Sequence, residues 1–508
     1  MTLQQYVSFG FLFFILIFVF FIWPNNQWHF LCINEISFMH KAMIIVSVLL
    51  TISVAILPMS LSPYWNGSYK IVADMQQYDR LGDALIQGHL YIDNNDIDPK
   101  LEALENPYDV EARKQSGAKF HWDEAYYNQH YYMYFGAVPS ILLFIPYKMI
   151  TGRALLSYQA TQIFAALTIT GIFYLFYVLS KQYFPKFPFS QYLLLSFVFS
   201  ILSIGYSIVA PALYCTAIVS AVCLMVWCIV FFLKGAWLEK DTTKGTVYLL
   251  AGAFLGALSF GCRPPVALAN ILIVAVIFQI YKDMECSSSD KSRKVVFILV
   301  PYFLIGVLLM IYNYARFDNV FEFGQSYQLT LADQHDYGNF WKNFNLRKLL
   351  MGLFLNFYAK DSITDSFPFI QFNGVFFNFP ILLLSVKIFS NKITIFLKKE
   401  KLYFVSSLMI ILPVVITLFD VHWSPFLTER YHLDFYYLLC IASFIAIAAW
   451  LEVISANRRR ILMGSITVLA FAVIVVEFLF FCIPYDGSYT VWYPEVLNEI
   501  YRGLRFGL

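Results

Sequence analysis

Apolar runs long enough to cross a lipid bilayer recur along the whole sequence, and they constrain the fold more than any other feature. A membrane-spanning helix needs about 20 mostly apolar residues. Runs that meet this requirement lie at 7–24, 42–61, 133–150, 156–180, 190–206, 211–233, 246–262, 265–281, 296–314, 370–390, 403–420, 432–451 and 461–483. Their number predicts an all-α polytopic membrane protein with about 12–13 transmembrane helices.

The composition excludes a water-soluble protein. Hydrophobic residues make up 59% of the 508 residues and charged residues only 13%, whereas soluble domains average roughly 45–50% apolar and about 25% charged residues. The same balance excludes intrinsic disorder, which needs low hydrophobicity and high charge. We therefore expect the lipid bilayer as a partner, and the formal net charge of +2 gives no indication of nucleic-acid binding.

The scarce charges are sorted along the chain, and their positions predict which linkers lie on each side of the membrane. Lysine and arginine clusters occupy the short linkers 281–295, 387–401 and 454–460, and short basic loops stay on the cytoplasmic side. The stretch 62–133 instead carries twelve acidic and six basic residues. The segments predicted to lie on the outer side are 62–133, 314–370, 420–430 and the tail after 484.

One apolar run conflicts with this pattern. If 133–150 crosses the membrane, the basic stretches around Lys181 and Lys234 fall on the wrong side. The run is short and contains Pro139 and Pro146, which interrupt regular helix hydrogen bonding. A full span and a re-entrant or surface helix are therefore both open at this point.

The hydropathy pattern divides the chain into four predicted regions. Residues 1–41 form an N-terminal extra transmembrane helix and its connector, and residues 42–315 form a transmembrane core that includes the long outer loop 62–133. Residues 316–370 form a second outer loop. Residues 371–508 contain the C-terminal transmembrane helices and an outer tail.

The long outer loop 62–133 begins with a predicted surface helix. Apolar residues between positions 71 and 86 recur near helical spacing, with acidic residues on the other side, which is typical of a helix lying on the membrane surface. Asp74 lies near the start of this helix. Its carboxylate either caps the helix or acts as a general base that accepts a proton from an incoming hydroxyl group.

The end of the same loop combines aromatic rings with carboxylates. The residues concerned are Asp123, Glu124, Tyr126, Tyr127 and Tyr132. Such a set suits a sugar, because its apolar ring faces pack on aromatic side chains while carboxylates accept hydrogen bonds from its hydroxyl groups. An aromatic belt at the membrane surface is the alternative explanation of the tyrosines, but it does not account for the adjacent pair Asp123 and Glu124.

Three arginines are predicted to lie at the outer ends of the apolar runs. Arg263 separates two runs, Arg316 follows one, and Arg430, next to Tyr431, precedes another. Guanidinium groups bind phosphate through paired hydrogen bonds, so these residues indicate an anion site. The alternative is that each arginine reaches the membrane interface or pairs with a nearby acid such as Asp434.

Several of these features occur in an order that resembles a known family of membrane enzymes. The sequence contains Asp74-Met75-x-x-Tyr78, then Gly88, and then Tyr134-Phe135-Gly136 before Pro139. This order resembles the polyprenyl-phosphate-dependent glycosyltransferases of the GT-C fold, such as lipid A aminoarabinose transferases and protein mannosyltransferases. Those enzymes have an Asp-Glu pair where this chain has Asp74 and Met75, and a double proline where it has Pro139.

The resemblance implies a GT-C type inverting glycosyltransferase that moves a single sugar from a polyprenyl-phosphate donor to a surface glycan acceptor, an O-antigen or a wall polysaccharide. It implies that Asp74 is the catalytic base, on the non-cytoplasmic face of a bacterial inner membrane. No cofactor is expected, with a divalent metal as the alternative. The residues expected to bind substrate are Tyr78, Asp123, Glu124, Tyr126, Tyr127, Tyr132, Arg263, Arg316, Arg430 and Tyr431.

Three other functions are alternatives to this interpretation. A transporter or flippase of lipid-linked saccharides would need ionisable residues near the middle of the bilayer and inverted repeats; mid-span charges are rare in this sequence, and we see no internal repeat. A polysaccharide ligase would transfer a whole chain instead of one sugar. A membrane O-acyltransferase would need a histidine within the helix bundle.

Overall fold

The chain forms a bundle of long helices with a small antiparallel hairpin on its outer side. The computed structural model describes residues 2–23, 25–67, 76–93, 96–337, 343–359, 364–423, 429–485 and 487–506. The α-helices are Leu3–Ile22, Phe38–Met59, Pro63–Asn66, Gln77–Gln87, Pro99–Glu102, Val110–Ser116, Ile145–Thr151, Ser157–Tyr183, Phe189–Leu202, Gly205–Val209, Tyr214–Phe232, Thr243–Phe260, Pro264–Ala267, Ile273–Asp283, Ser288–Phe317, Leu346–Tyr358, Val375–Asn378, Asn391–Lys399, Tyr403–Trp423, Leu433–Val453, Ala456–Phe481, Tyr489–Trp492 and Pro494–Leu504.

The remaining described elements are 3₁₀ segments, π-helical segments and two β-strands. The 3₁₀ segments are Gln27–His29, Ile33–Glu35, Leu268–Leu272, Gln334–Tyr337, Pro380–Phe389 and Glu429–His432, and the π-helical segments are Ser140–Phe144 and Leu233–Leu238. The strands Ala125–Tyr127 and His130–Tyr132 pair in antiparallel register.

Ten of the described helices are long and apolar enough to cross a membrane. Their bounds are Leu3–Ile22, Phe38–Met59, Ser157–Tyr183, Tyr214–Leu238, Thr243–Phe260, Pro264–Asp283, Ser288–Phe317, Tyr403–Trp423, Glu429–Val453 and Arg458–Phe481. Pro380–Phe389 and Asn391–Lys399 form an eleventh if a pair bent by 71° is one span. Each of the thirteen predicted runs contains a helix, and two of them, Ser140–Thr151 and Phe189–Leu202, are shorter. The prediction of an all-α polytopic membrane protein is confirmed.

The segment Ser140–Thr151 starts and ends on the same side of the bundle. Just before it, the Val138 N–H donates to the Gly261 carbonyl oxygen (2.9 Å). Just after it, the Ser157 N–H donates to Oε1 of Gln76 (3.1 Å). Both partners lie on the side of the bundle that carries the predicted outer loop, so this segment is not a full span. The conflict in the charge pattern disappears for that reason.

The other short helix, Phe189–Leu202, does join the two sides together with the turn that follows it. Near its start, the Lys186 N–H donates to the Glu452 carboxylate (2.7 Å), which lies beside the basic linker 454–460. Beyond its end, the Trp65 indole donates to the Val209 carbonyl oxygen (3.2 Å) in the region of the long outer loop.

The helices differ in how far they are buried by one another. Tyr214–Leu238 and Glu429–Val453 are surrounded on nearly all sides, whereas Leu3–Ile22 and Ser288–Phe317 expose almost all of their apolar surface. Small residues in the second half of Leu433–Val453 allow close helix packing, and the rings of Phe176 and Phe444 stack with centres 3.8 Å apart. The exposed apolar residues of these two peripheral helices match a lipid environment.

Candidate active site

The long outer loop and the loop after Ser288–Phe317 form one structural unit. The hairpin Ala125–Tyr127/His130–Tyr132 turns through two residues with positive φ, Asn128 (48°) and Gln129 (62°), a conformation that asparagine tolerates. Its first strand also pairs with the second loop, since the Tyr126 N–H donates to the Tyr327 carbonyl oxygen (2.9 Å). The two outer loops are therefore joined by backbone hydrogen bonds.

Asp123 lies where these two loops meet the ends of the helices. One carboxylate oxygen accepts a hydrogen bond from Nε2 of Gln328 (2.8 Å), and the other accepts one from the Tyr214 hydroxyl. The side chain is buried, and the backbone has a φ of 64°, a conformation that costs energy in most residues. Burial raises the pKa of Asp123, and the hydrogen bond from Tyr214 and the charge of Arg430 only partly oppose this rise.

The Arg430 guanidinium lies over the face of the Tyr214 ring. Its guanidinium carbon is 4.0 Å from the centre of the Tyr214 ring and 5.6 Å from that of Tyr431. No hydrogen bond or ion pair joins this guanidinium to any residue that the structure describes. Arg430 is thus a half-buried cation held by aromatic rings, an arrangement that is favourable for guanidinium groups.

Arg263 also lies near the ring of Tyr431, and it has an acidic partner. Its guanidinium is 5.1 Å from the centre of the Tyr431 ring. It forms a paired contact with Asp434, with distances of 2.7 Å from Nε and 2.8 Å from Nη2. Asp420 is a second buried carboxylate near Arg263 and Asp434, and its Oδ2 has no hydrogen-bond partner. The charge of Arg263 is therefore largely balanced within the chain.

Arg316 binds backbone and amide oxygens. Its Nη1 donates to the Met133 carbonyl oxygen (2.7 Å), and its Nη2 donates to Oδ1 of Asn313 (2.9 Å). The side chain is buried, and its guanidinium also lies 3.9 Å from the centre of the Tyr312 ring. These contacts attach the end of the first outer loop to the helix Ser288–Phe317, and they occupy most of the guanidinium.

Glu124, next to Asp123 in sequence, belongs to a separate network. Its carboxylate accepts from Nη1 of Arg80 (2.5 Å) and lies 3.0 Å from Nδ1 of His121. His121 also lies 3.0 Å from Asp96. Burial lowers the pKa of His121, but its hydrogen bond to Glu124 and the charges of Glu124 and Asp96 outweigh that effect, so the net shift is upward. This network joins three parts of the long outer loop.

The predicted tyrosines are divided between two groups. The rings of Tyr127 and Tyr132 pack on Phe317, at 5.8 Å and 5.4 Å between centres. Tyr126 is buried beside Tyr131 at 5.2 Å. The structure thus brings together one part of the predicted set, namely Asp123, Arg263, Arg430 and Tyr431. It places Tyr127, Tyr132 and Arg316 around Phe317 instead.

The surface helix begins close to the first of these groups. The helix Gln77–Gln87 follows Asp74, which lies outside the described residues, and it ends at Gly88 with a φ of 87°. Tyr78 is fully buried, its hydroxyl has no hydrogen-bond partner, and it interacts electrostatically with Arg263. A helix is therefore present over 77–87, and its first turn lies near Arg263. Its buried face packs on Ser140–Thr151, where the ring centres of Tyr78 and Phe144 are 5.5 Å apart. Its position on the membrane surface stays a prediction.

Gly136 allows the loop to approach the break between two spanning helices. A Cβ atom at Gly136 would lie 2.0 Å from the Gly261 carbonyl oxygen. That distance is far inside van der Waals contact, so only glycine fits at this position. This contact and the neighbouring Val138–Gly261 hydrogen bond fix the loop end on Gly261, and Tyr134 lies near Asp123 and Arg430.

Sequence reasoning missed four residues of this site. Tyr214 and Gln328 hold Asp123, and neither lies in a motif that would have indicated this role. Asp434 was foreseen only as a possible partner of an arginine. Asp420 could have been found as a carboxylate inside the last turns of an apolar run. Within the described residues, no group of three or more His, Cys, Asp or Glu side chains is arranged to hold a metal ion.

Comparison with known proteins gives a limited result. No family model and no curated protein matches the chain. The oligosaccharyltransferase of Archaeoglobus fulgidus in its apo form is similar in structure, with a TM-score of 0.47 and 13% identity over 87% of this chain and 56% of that chain. The same enzyme tethered to an acceptor peptide gives a TM-score of 0.47 and 12% identity over 87% and 55%. This chain spans little more than half of those structures, and a likeness at this level assigns no activity to it.

Proposed function

We propose that this chain is a membrane glycosyltransferase of the GT-C type. It transfers a single sugar from a polyprenyl-phosphate donor to a surface glycan, an O-antigen or a wall polysaccharide, with inversion at the anomeric carbon. The reaction takes place on the outer face of a bacterial inner membrane. The observation that carries the proposal is the Arg430 guanidinium, which forms no ion pair with any described residue and lies near the buried carboxylate of Asp123.

Arg430 is suited to the donor phosphate. An arginine presents a planar set of N–H donors that matches phosphate oxygens, and Tyr214 and Tyr431 hold it on their ring faces. It lies at the start of the spanning segment Glu429–Val453, and the proposed lipid-linked phosphate binds at that end of the segment. Its charge would offset the negative charge that grows on the phosphate as the bond to the sugar breaks.

Asp123 acts as a positioning residue for this cation. Its carboxylate fixes the Tyr214 hydroxyl, and the Tyr214 ring supports Arg430 from the other side. Gln328 attaches the same carboxylate to the second outer loop. The position of Arg430 therefore depends on the packing of both loops.

Asp74 is the proposed catalytic base, and this role rests on the sequence. The residue precedes Tyr78 by four positions, and four residues of chain span at most about 14 Å. The Tyr78 hydroxyl is close enough to Arg263 to interact with its charge. A carboxylate in this segment can take a proton from an acceptor hydroxyl while that oxygen attacks the anomeric carbon and the lipid phosphate leaves. One positioned base contributes roughly 10²–10⁴-fold to the rate.

The distribution of charge along the spanning helices favours an enzyme over a transporter. In the described helices that can cross a membrane, each Asp, Glu, Lys and Arg lies within about two turns of a helix end. The buried acids Asp420 and Asp434 belong to the outer ends. A transporter of charged lipid-linked saccharides would be expected to have such groups near the middle of the bilayer.

The experiment measures sugar transfer by the purified full chain in lipid nanodiscs. Polyprenyl-phosphate glucose with a labelled sugar serves as the donor probe, and lipid-linked glycan serves as the acceptor. The wild type should form one labelled product of one added sugar, and Asp74→Asn should abolish it. Asp109→Asn is the matched control, because Asp109 caps an exposed helix of the same loop and asparagine caps equally well. Full activity in Asp74→Asn would refute the base assignment, and transfer of whole chains would favour the ligase.

A further inference from the structure

A cavity opens at the end of the bundle away from the candidate active site. It has a volume of about 330 Å³ and lies between four helix ends. They are the end of Tyr214–Leu238, the end of Pro264–Asp283, the end of Asn391–Lys399 and the start of Tyr403–Trp423. The basic linkers 281–295 and 387–401 begin or end here, so the cavity lies on the side opposite to the candidate active site.

The rim of this cavity is positively charged. Lys282, Lys398 and Lys401 line it together with one acid, Asp283, which leaves a formal charge of +2. Nζ of Lys401 lies 2.8 Å from Oδ1 of Asp283, so these two charges balance each other. Lys282 and Lys398 carry the remaining charge, and neither forms an ion pair with any other described residue.

The two unpaired lysines lie over aromatic rings at the cavity mouth. Nζ of Lys282 is 5.3 Å from the centre of the Phe278 ring, and Nζ of Lys398 is 5.2 Å from that of Tyr403. Both lysine side chains are exposed. An ammonium group on an aromatic face gains little stability at an exposed position, so both remain available to an anion.

The wall below the lysines is apolar and exposed. Phe278 is 49% exposed and Phe404 is 37% exposed, and their rings meet edge to face with centres 5.4 Å apart. Both belong to helices that are long and apolar enough to cross a membrane, so their exposed ring surfaces suit contact with lipid. The cavity therefore continues from a cationic rim into an apolar surface over a few ångströms.

We propose that this cavity binds the headgroup of an anionic phospholipid. The phosphate lies between Lys282 and Lys398, and the acyl chains lie along Phe278 and Phe404. A free phosphate ion would satisfy the lysines but would leave both rings uncovered, whereas a lipid uses both surfaces. Basic pockets between helices on the cytoplasmic side are suited to such headgroups. The proposal is independent of the proposed transferase activity.

Native mass spectrometry of the full chain in detergent tests the proposed binding of an anionic phospholipid. Phosphatidylglycerol, phosphatidylcholine and inorganic phosphate are added separately, and bound copies are counted. The wild type should bind phosphatidylglycerol at least tenfold more tightly than phosphatidylcholine. The double variant Lys282→Gln/Lys398→Gln should lose most of this preference, because two charges near the headgroup are removed.

Lys392→Gln/Lys399→Gln is the matched control. It removes the same charge from the same region, and both lysines are exposed but do not line the cavity. The control should retain the wild-type preference, and equal melting temperatures would show that both variants fold. An equal loss in both variants would mean a diffuse basic surface and would overturn the proposal. Displacement of the lipid by inorganic phosphate at the same concentration would overturn the assignment of a lipid.

Discussion

The guanidinium of Arg430 lies on the ring of Tyr214, 4.0 Å from its centre. The same ring donates its hydroxyl proton to the buried carboxylate of Asp123. One tyrosine thus holds a cation on its face and an anion at its edge, and keeps the two charges from forming an ion pair. The cation stays available to a ligand for this reason, which is the basis of the first two predictions.

Replacement of Arg430 should reduce transfer without unfolding the protein. Arg430→Gln removes the charge that would stabilise the leaving phosphate, so kcat/KM for the donor should fall by about 10²–10³. Arg430→Lys keeps the charge but loses the planar donor set, and it should recover only part of the activity. Stability should fall by about 0.5–2 kcal/mol, because the contacts of the guanidinium with the Tyr214 and Tyr431 rings are lost. The exposed Arg153→Gln serves as control, and wild-type kinetics in Arg430→Gln would disprove the role.

Removal of the Tyr214 hydroxyl should shift the pH profile of the reaction. The hydrogen bond from Tyr214 lowers the pKa of Asp123, against the rise caused by burial. In Tyr214→Phe that stabilisation of the ionised carboxylate is lost, so the pKa rises further and Asp123 takes up its proton at a higher pH. The acid limb of kcat/KM should therefore move to higher pH, while the ring still supports Arg430. An unshifted acid limb would show that ionised Asp123 is not required.

The pair Arg263 and Asp434 should behave as a structural unit. Removing one partner leaves the other charge buried without its counterion, which costs about 3–5 kcal/mol. Arg263→Met and Asp434→Leu should each lower the thermal stability strongly, and the double variant should regain much of the loss. A double-mutant cycle on melting in detergent measures this coupling. Additive losses would show that the pair contributes no mutual stabilisation.

Gly136→Ala should prevent the normal docking of the first outer loop. The added Cβ would lie 2.0 Å from the Gly261 carbonyl oxygen, so the backbone must move. We expect a loss of several degrees in melting temperature and of most of the activity, because the loop end carries Tyr134 into the site. Gly306→Ala is the control, since a Cβ there meets nothing within 4 Å. Equal behaviour of the two variants would contradict the close approach.

The helices were predictable because their signal is local. Each apolar run contains enough information to identify a helix, and the charge pattern showed a conflict at 133–150 that left a full span and a re-entrant or surface helix both open. The contacts that hold Ser140–Thr151 on the outer side come from Gly261 and Gln76, which no local pattern connects to it.

The site was predictable only in part because its contacts join distant positions. Arg263 and Asp434 are 171 residues apart, and Asp123 and Tyr214 are 91 residues apart. Residue type suggested which side chains could bind a substrate. It did not show which of them would instead form hydrogen bonds or ion pairs with other residues of the chain. Glu124, for example, pairs with Arg80, and its neighbour Asp123 accepts hydrogen bonds from Tyr214 and Gln328.

The hydrogen bonds between the two outer loops can form only late in the synthesis and membrane insertion of the protein. Asp123 accepts from Gln328, which is translated 205 residues later. At about 5–20 residues per second, the ribosome needs roughly 10–40 s to reach it, and several spanning helices must enter the membrane in that time. The first loop is thus translocated long before its partner exists. Its hairpin must wait, unpaired on one side and open to proteases and chaperones, until the helices that precede Gln328 have been inserted.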